Sequence, residues 1–284
     1  MARPVKGSPD DVFAPERQER IARLVEEHGR ARVADLAARF GVSSVTIRKD
    51  LMALEAAQRL LRAHGGAIAI DHRRPELSFD IRERLQAEEK TRIGMAGAAL
   101  VQDGESIVMD ASTTALAVAR QLKARGGWSQ LTVITNGLRV AAELAGHPGL
   151  VVLMLGGRVR WEALSVVGQL GDGLFDRINV QKAFLGAAGF TLESGLADAT
   201  DEEAQIKRSM VGAAREVIAI VDSTKWQRAA FATFCPTDDI DVVLTDARAP
   251  EAMVAGLVDR NIDVRLVDGP DPEPTRTTPS ATRR

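Results

Sequence analysis

Residues 33–66, VADLAARFGVSSVTIRKDLMALEAAQRLLRAHGG, constrain the fold more tightly than any other stretch of the chain. Val33, Leu36, Ala37 and Phe40 recur at helical spacing, Gly41 permits a tight turn, and Ser43 can cap a second helix. The spacing predicts that helix from about Ser44 to Glu55, with Ile47, Leu51 and Leu54 as its buried stripe. Val45, Thr46 and Lys49 then point about 180° away from that stripe, with Arg48 at the flank. Leu60 to His64, ending at Gly65-Gly66, reads as two short strands with a basic tip. Helix, turn, helix and hairpin in this order is the layout of a winged helix-turn-helix, whose second helix enters the major groove of DNA. On this reading Thr46 and Lys49 meet base edges beside Val45. Ser43, Ser44 and Arg48 hold phosphates, and the wing presents Arg62 and His64. The plainer alternative is a helical hairpin with a solvated charged face.

Charge is distributed to suit the first reading. The chain carries a net −2, but residues 1–74 hold 14 Lys and Arg against 10 Asp and Glu, so the excess of acid lies entirely in the remainder. The single cysteine, Cys235, has no partner for an intrachain disulfide, and His28, His64, His72 and His147 are scattered. Neither a structural metal nor a cofactor is therefore expected. Arg3 and Lys6 are followed by Ser8-Pro9-Asp10-Asp11 and not by an apolar run, which reads as a flexible leader. No stretch has the composition of a membrane span, so a cytoplasmic chain is expected.

Beyond residue 70 the pattern changes. A linker over 71–89 is expected, because Pro75 interrupts helix formation and the residues after it are heavily charged. From Lys90 onward, helical segments alternate with short β-branched runs at 107–109, 131–135, 151–155, 182–185, 217–221, 242–245 and 264–267. That alternation argues a mainly parallel sheet covered by helices on both faces. The expected organisation is a DNA-binding domain over 15–70, the linker, an α/β domain over 90–268 and a Pro- and Thr-rich disordered tail over 269–284.

In open α/β sheets a ligand sits beyond the carboxyl ends of the strands, and four of those ends here are polar. Asp110, Ser112, Thr113 and Thr114 open a helix after the first run, offering hydroxyls and free amides to an anion, although Ser112 or Thr113 could equally be a plain N-cap. Thr135 and Asn136, Gly157 and Arg158, and the Asp222-Ser223-Thr224-Lys225 turn add donors, bare backbone and positive charge. Glu203 and Lys207 lie four apart on a helix and are weaker candidates, since a surface ion pair would use the same spacing.

The chain resembles the DeoR family of bacterial regulators. The N-terminal half of the resemblance rests on Gly41-Val42-Ser43, Thr46-Ile47-Arg48, Asp50-Leu51, Leu54-Glu55, Leu61, Arg62 and His64 to Ala67. The other half rests on Asp110 to Thr114, Thr135 to Gly137, Leu155 to Arg158, Val167-Gly168, Lys182 to Gly189, Gly195-Leu196, Glu202 to Met210 and Asp222 to Lys225, and coverage runs from about residue 16 to 268. It departs from the family's pattern at Gln58-Arg59, where a glycine is usual, at Ala188, and at Trp226, where a phenylalanine is usual. The resemblance implies a sensor domain like the sugar-phosphate isomerases. It also implies a phosphorylated-sugar effector, held at the residues above with Gly186, and a regulator, most often a repressor, that binds operator DNA. A parallel-sheet domain with long apolar helices favours self-association, so a homo-oligomer is expected. An isomerase with an appended DNA-binding domain is the alternative, using Asp110 or Glu203 as base, but an acid is missing from the Gly186 to Gly189 loop. A pure oligomerisation domain would explain the sheet but not its polar rim.

Overall fold

The computed structural model describes residues 13–56, 59–63, 65–69 and 77–267, and the chain divides into two compact units at Leu77/Ser78. The leader, Gln58, His64, the first part of the expected linker and the C-terminal tail lie outside the described residues.

The first unit runs α1 (Ala14–His28), β1 (Arg30–Arg32), α2 (Val33–Phe40), α3 (Ser44–Ala56), β2 (Leu60–Ala63) and β3 (Gly66–Ala69). Gly41 ends α2 in the left-handed conformation, with φ +65°, and there turns the chain into α3. Ile47, Leu51 and Leu54 are buried against Ile21, Val25 and Leu36, which is the apolar stripe that the periodicity predicts. Asp50 adds a polar tie on the same side of α3. Its carboxylate accepts from Arg17 Nε at 2.6 Å and from Gln18 Nε2 at 3.0 Å. The wing is an antiparallel pair, β2 with β3, and β1 joins the far side of β3 to make a three-stranded sheet that the sequence pattern did not announce.

The second unit runs α4 (Phe79–Arg84), α5 (Ala87–Ala99), β4 (Ser106–Met109), α6 (Thr113–Arg125), β5 (Leu131–Thr135), α7 (Leu138–Leu144), β6 (Leu150–Met154), β7 (Arg158–Arg160) and β8 (Ser165–Val167). It continues with α8 (Gln169–Phe175), β9 (Val180–Leu185), β10 (Gly189–Thr191), β11 (Gly195–Asp198), α9 (Asp201–Ala213), β12 (Ala214–Ile220), β13 (Ala232–Cys235), β14 (Val242–Thr245), α10 (Glu251–Val258) and β15 (Asp263–Leu266). Seven strands form one parallel sheet in the order β15-β14-β12-β9-β4-β5-β6, and they are the seven β-branched runs of the sequence. Side chains alternate across it. Ile107, Met109, Phe184, Ile218 and Ile220 enter one apolar layer, while Val108, Ala183, Leu185, Val217 and Ala219 enter the other. The second half of the expected linker belongs to this packing, for Phe79 is fully buried in the first of those layers.

Two smaller sheets lie outside the alternating pattern: the β7-β8 hairpin, and an antiparallel β10-β11-β13 sheet. The chain builds outward from β4 through β5 to β6, then returns to lay β9 on the other side of β4. The strand order therefore reverses between β4 and β9, and at such a point the loops on either side part and leave a crevice at the carboxyl ends.

Gly66 supplies a test of the first unit. A Cβ there would stand 2.2 Å from the Ala31 carbonyl oxygen, because β3 passes close to β1. Gly66→Ala is expected to destabilise this unit by on the order of 1–3 kcal/mol through forced backbone displacement. All three tryptophans (Trp128, Trp161, Trp226) belong to the second unit, so the far-UV circular dichroism melt should shift to lower temperature while the tryptophan fluorescence melt stays. An unshifted melt by both probes would show that the strands can separate freely.

Candidate functional site

In the first unit, the start of α3 is set by Ser43. Its Oγ accepts the Thr46 N–H at 3.1 Å and lies 2.9 Å from the Thr46 hydroxyl, so the half-buried Thr46 is tied into the cap of its own helix. Ser44, Val45, Arg48 and Lys49 are exposed, and no ion pair reaches Arg48 or Lys49 among the described residues. Lys49 stands on the face opposite the Ile47-Leu51-Leu54 stripe and Arg48 at its flank. Arg62 is placed differently from a free wing arginine: its Nε donates to Glu55 Oε2 at 2.7 Å and its backbone N–H to Glu55 Oε1 at 3.0 Å, which ties the wing to the end of α3.

In the second unit, β12, β9, β4 and β5 are neighbours, so their carboxyl ends share one rim. Asp110, just after β4, is completely buried. Its Oδ1 accepts the Ser112 N–H at 3.0 Å, and its Oδ2 accepts the Gly186 N–H at 2.9 Å across the crevice. Gly186 must lack a side chain, since a Cβ would lie 2.5 Å from Ser112 Cβ. Ser112 Oγ caps α6 by accepting the Ala115 N–H at 3.0 Å, which leaves the N–H groups of Thr113 and Thr114 at a helix start without intrahelical partners. Thr135 Oγ1 turns the next loop by accepting the Gly137 N–H at 2.9 Å.

Helix α9 delivers two titratable groups into the crevice, and neither is on the surface. Lys207 Nζ lies 2.7 Å from Asp110 Oδ2 and 2.5 Å from Asp198 Oδ2, and it donates to the Gly186 carbonyl at 3.0 Å. Burial alone would discharge this ammonium, but Asp110, Asp198 and Glu203 outweigh it and hold its pKa above the ordinary lysine value. Glu203 pairs with Arg160 Nη1 at 2.7 Å and accepts the Ser165 hydroxyl. Asn136 Nδ2 is 3.4 Å from its other oxygen. Burial raises the Glu203 carboxyl above its usual range, and Lys207 is the main influence opposing that rise.

Asp110, Asn136, Gly186, Glu203 and Lys207 therefore come together, while Arg158 does not join them. It stands further along the hairpin, exposed, paired at 2.5 Å with Glu202 at the outer end of α9. Two residues on, Arg160 makes the corresponding contact inside. Gly157 is needed where β7 begins, since a Cβ would stand 2.3 Å from the Val167 carbonyl oxygen. At the β12 end Asp222 accepts the Thr224 N–H at 3.0 Å, and Lys225 is half-buried, its pKa lowered first by burial and then by Arg228 and Arg82 against the pull of Asp222. Its Nζ has no hydrogen bond or ion pair among the described residues. Trp226 packs on Phe190 with ring centroids 5.0 Å apart and donates its indole N–H to Thr245 Oγ1 at 3.1 Å, so the larger ring is accommodated in the core.

Residues missed by the strand-end rule are Arg160, Ser165, Asp198 and Lys90. The first three sit on the small antiparallel sheets, whose runs are too short to show a period. Lys90, on α5, is buried, donates to the Leu85 carbonyl at 2.7 Å and to the Arg82 carbonyl, and has its pKa brought down to about 8 by burial.

Comparison with known proteins places both units. Residues 17–73 match the profile of the DeoR-like helix-turn-helix domain and residues 85–247 that of the DeoR C terminal sensor domain. The HTH-type transcriptional regulator GolR of Listeria innocua is 34% identical over 90% of this chain and 100% of its own length. The HTH-type transcriptional repressor GlcR of Bacillus subtilis is 32% identical, over 88% and 95%. The glycerol-3-phosphate regulon repressor of Escherichia coli is 30% identical, over 88% and 98%. Among solved structures, ribose 5-phosphate isomerase A from Methanocaldococcus jannaschii aligns over 49% of this chain and 54% of its own at TM-score 0.36 and 18% identity, too loosely to bear on the site.

The position of Lys90 fixes a pH dependence. With a folded pKa of about 8, the native chain releases this proton before the unfolded chain does. Between there and the ordinary lysine value the unfolded state binds more protons, so stability rises with pH. The unfolding free energy in urea should climb by up to about 2 kcal/mol between pH 8 and 10 from this group. Lys90→Met should reduce the climb, and an equal slope in parent and variant would place Lys90 in solvent.

Proposed function

Because the chain belongs to the DeoR family of DNA-binding transcriptional regulators, we propose that it represses a carbohydrate catabolic operon and that a phosphorylated sugar, held at the β4/β9 crevice, alters its affinity for operator DNA. It acts as a homo-oligomer on two half-sites, with Val45, Thr46 and Lys49 toward base edges and Ser43, Ser44 and Arg48 toward phosphates. The observation that supports the anionic effector is Lys225: a half-buried ammonium, its pKa lowered, with no internal partner among the described residues. A phosphate would restore its favoured charge state, and the α6 start at Ser112 to Thr114 adds amide donors for the same anion. The buried acids serve the sugar end. Asp110 and Asp198 are already engaged by Lys207, and Glu203 by Arg160 and Ser165, an arrangement that suits holding hydroxyls and leaves no free carboxylate to take a proton from carbon.

Operator fragments selected from random DNA, titrated in a gel-shift assay with and without a panel of pentose and hexose phosphates, test this reading. At least one sugar phosphate should change operator affinity by about 5- to 150-fold, and DNA should change its affinity for the protein by the same factor. Lys225→Ala should abolish the response while leaving ligand-free operator binding intact. Lys49→Ala should weaken operator binding by about 1–3 kcal/mol. No aldose-ketose interconversion is expected. A parent protein that responds to none of the panel, or a Lys225→Ala protein that responds as the parent does, would displace the effector from this crevice.

A further inference from the structure

The sheet of the second unit has two edges of opposite character. At one edge, β15 carries Asp263 and Arg265, joined by an ion pair at 2.7 Å, and such charges discourage another strand from adding. At the other edge β6, Leu-Val-Val-Leu-Met, carries no charge, no proline and no glycine. Leu131 donates to the Gly149 carbonyl at 2.8 Å and Leu155 to the Thr135 carbonyl at 3.0 Å. In a parallel pairing this fixes the odd-numbered residues of β6 toward β5, so Val152 and Met154 direct their N–H and C=O groups away from the sheet.

Apolar side chains are exposed on that strand and on the hairpin that follows it in sequence. Val151, Leu153 and Met154 are exposed on β6, and Val159 and Trp161 on the β7-β8 hairpin, Trp161 to 77%. Alternation along β7 places Val159 on the face away from Arg160, so the hairpin turns one face to Glu203 and the other to solvent.

We propose that this edge is an interface between two copies of the chain, β6 pairing antiparallel with β6 of the second copy across a two-fold axis. The choice of occupant rests on the strand itself. An uncharged edge is complementary to itself, since antiparallel pairing brings no like charges together and sets Val151 and Leu153 of one copy against the same pair in the other. The chain's own C-terminal segment is a poor candidate. It leaves the sheet at β15, roughly 29 Å away at the ordinary strand spacing, and four of its residues are prolines (Pro270, Pro272, Pro274, Pro279), which lack the N–H that a strand partner needs. The inference rests on the reading of the chain as a homo-oligomer and names its contact. Because the hairpin that carries Arg160 lies beside the interface in sequence, ligand at Glu203 and pairing at β6 share one structural element.

The mass of the full chain by sedimentation, with a protomer of 30.5 kDa, tests both. The parent should be an even-numbered oligomer. Leu153→Glu should halve its mass and keep the far-UV circular dichroism spectrum of the folded parent, because residue 153 is exposed in the protomer. Mixing Leu153→Glu with Leu153→Lys should restore the parent mass, as opposite charges then meet across the axis. Should the Leu153 variants fail to fold, Val151→Glu with Val151→Lys makes the same measurement. A monomeric parent overturns the oligomer and the interface together. A parent oligomer whose mass survives Leu153→Glu overturns the interface alone, and a folded monomer that the lysine variant does not rescue overturns the two-fold pairing.

Discussion

The second unit is organised around one buried ammonium. Lys207 Nζ touches the Asp110 and Asp198 carboxylates and the Gly186 carbonyl, and those three groups come from the end of β4, the end of β11 and the loop after β9. Removing a charge from water costs several kcal/mol unless partners replace the solvent, and here two carboxylates and a carbonyl do so. One contact therefore spans the place where the strand order reverses. Without it Asp110 would keep only the Ser112 and Gly186 N–H groups, while β4 and β9 would still be joined lower down by the Lys182–Glu105 ion pair and by the Ser106 N–H donating to the Gln181 side chain. The neighbouring pair, Glu203 with Arg160, repeats the logic one turn earlier on α9 and brings the β7-β8 hairpin into the same polar core.

Much of this was legible in residue order. The seven strands of the main sheet announced themselves because strands buried on both faces need continuous β-branched runs, and the recognition helix did so because its stripe and its cap lie within twelve residues of one another. The convergence of Asp110, Asn136 and Gly186 came from the rule that parallel strands share a rim. What could not be read was which way a charged side chain turns when several are available. Arg158 and Arg160 are equivalent in sequence, yet only the second meets a carboxylate that burial has made dependent on it. Glu203 and Lys207 have the spacing of a surface pair, but each finds its partners on other elements. Lys90 belongs to a helix whose burial depends on α6 and the sheet, so no local signal marked it.

The DNA-reading unit depends on smaller economies of the same kind. Asp50 fastens the inner side of α3 to α1 through Arg17 and Gln18, so the exposed side can carry Arg48 and Lys49 without internal pairing. Ser43 takes up the hydroxyl of Thr46, and Glu55 takes up Arg62. Polar groups on the exposed side of α3 and the wing are thus divided between those that set geometry and those without an internal partner among the described residues.

The reversal of strand order also governs how the chain assembles as it is made. Ile107 on β4 pairs with Lys182 on β9, a separation of 75 residues, whereas the helix-turn-helix unit is complete by residue 77. At about 5–20 residues per second, β4 waits roughly 4 to 15 s for its neighbour after it is synthesised. During that interval β4, β5 and β6 form a half-sheet whose β4 edge is open and apolar, and local contacts close long before non-local ones. The β4/β9 seam thus closes only after β4, β5 and β6 have all been made, and a nascent chain presents its complete helix-turn-helix unit before the carboxyl-end crevice of its second unit exists.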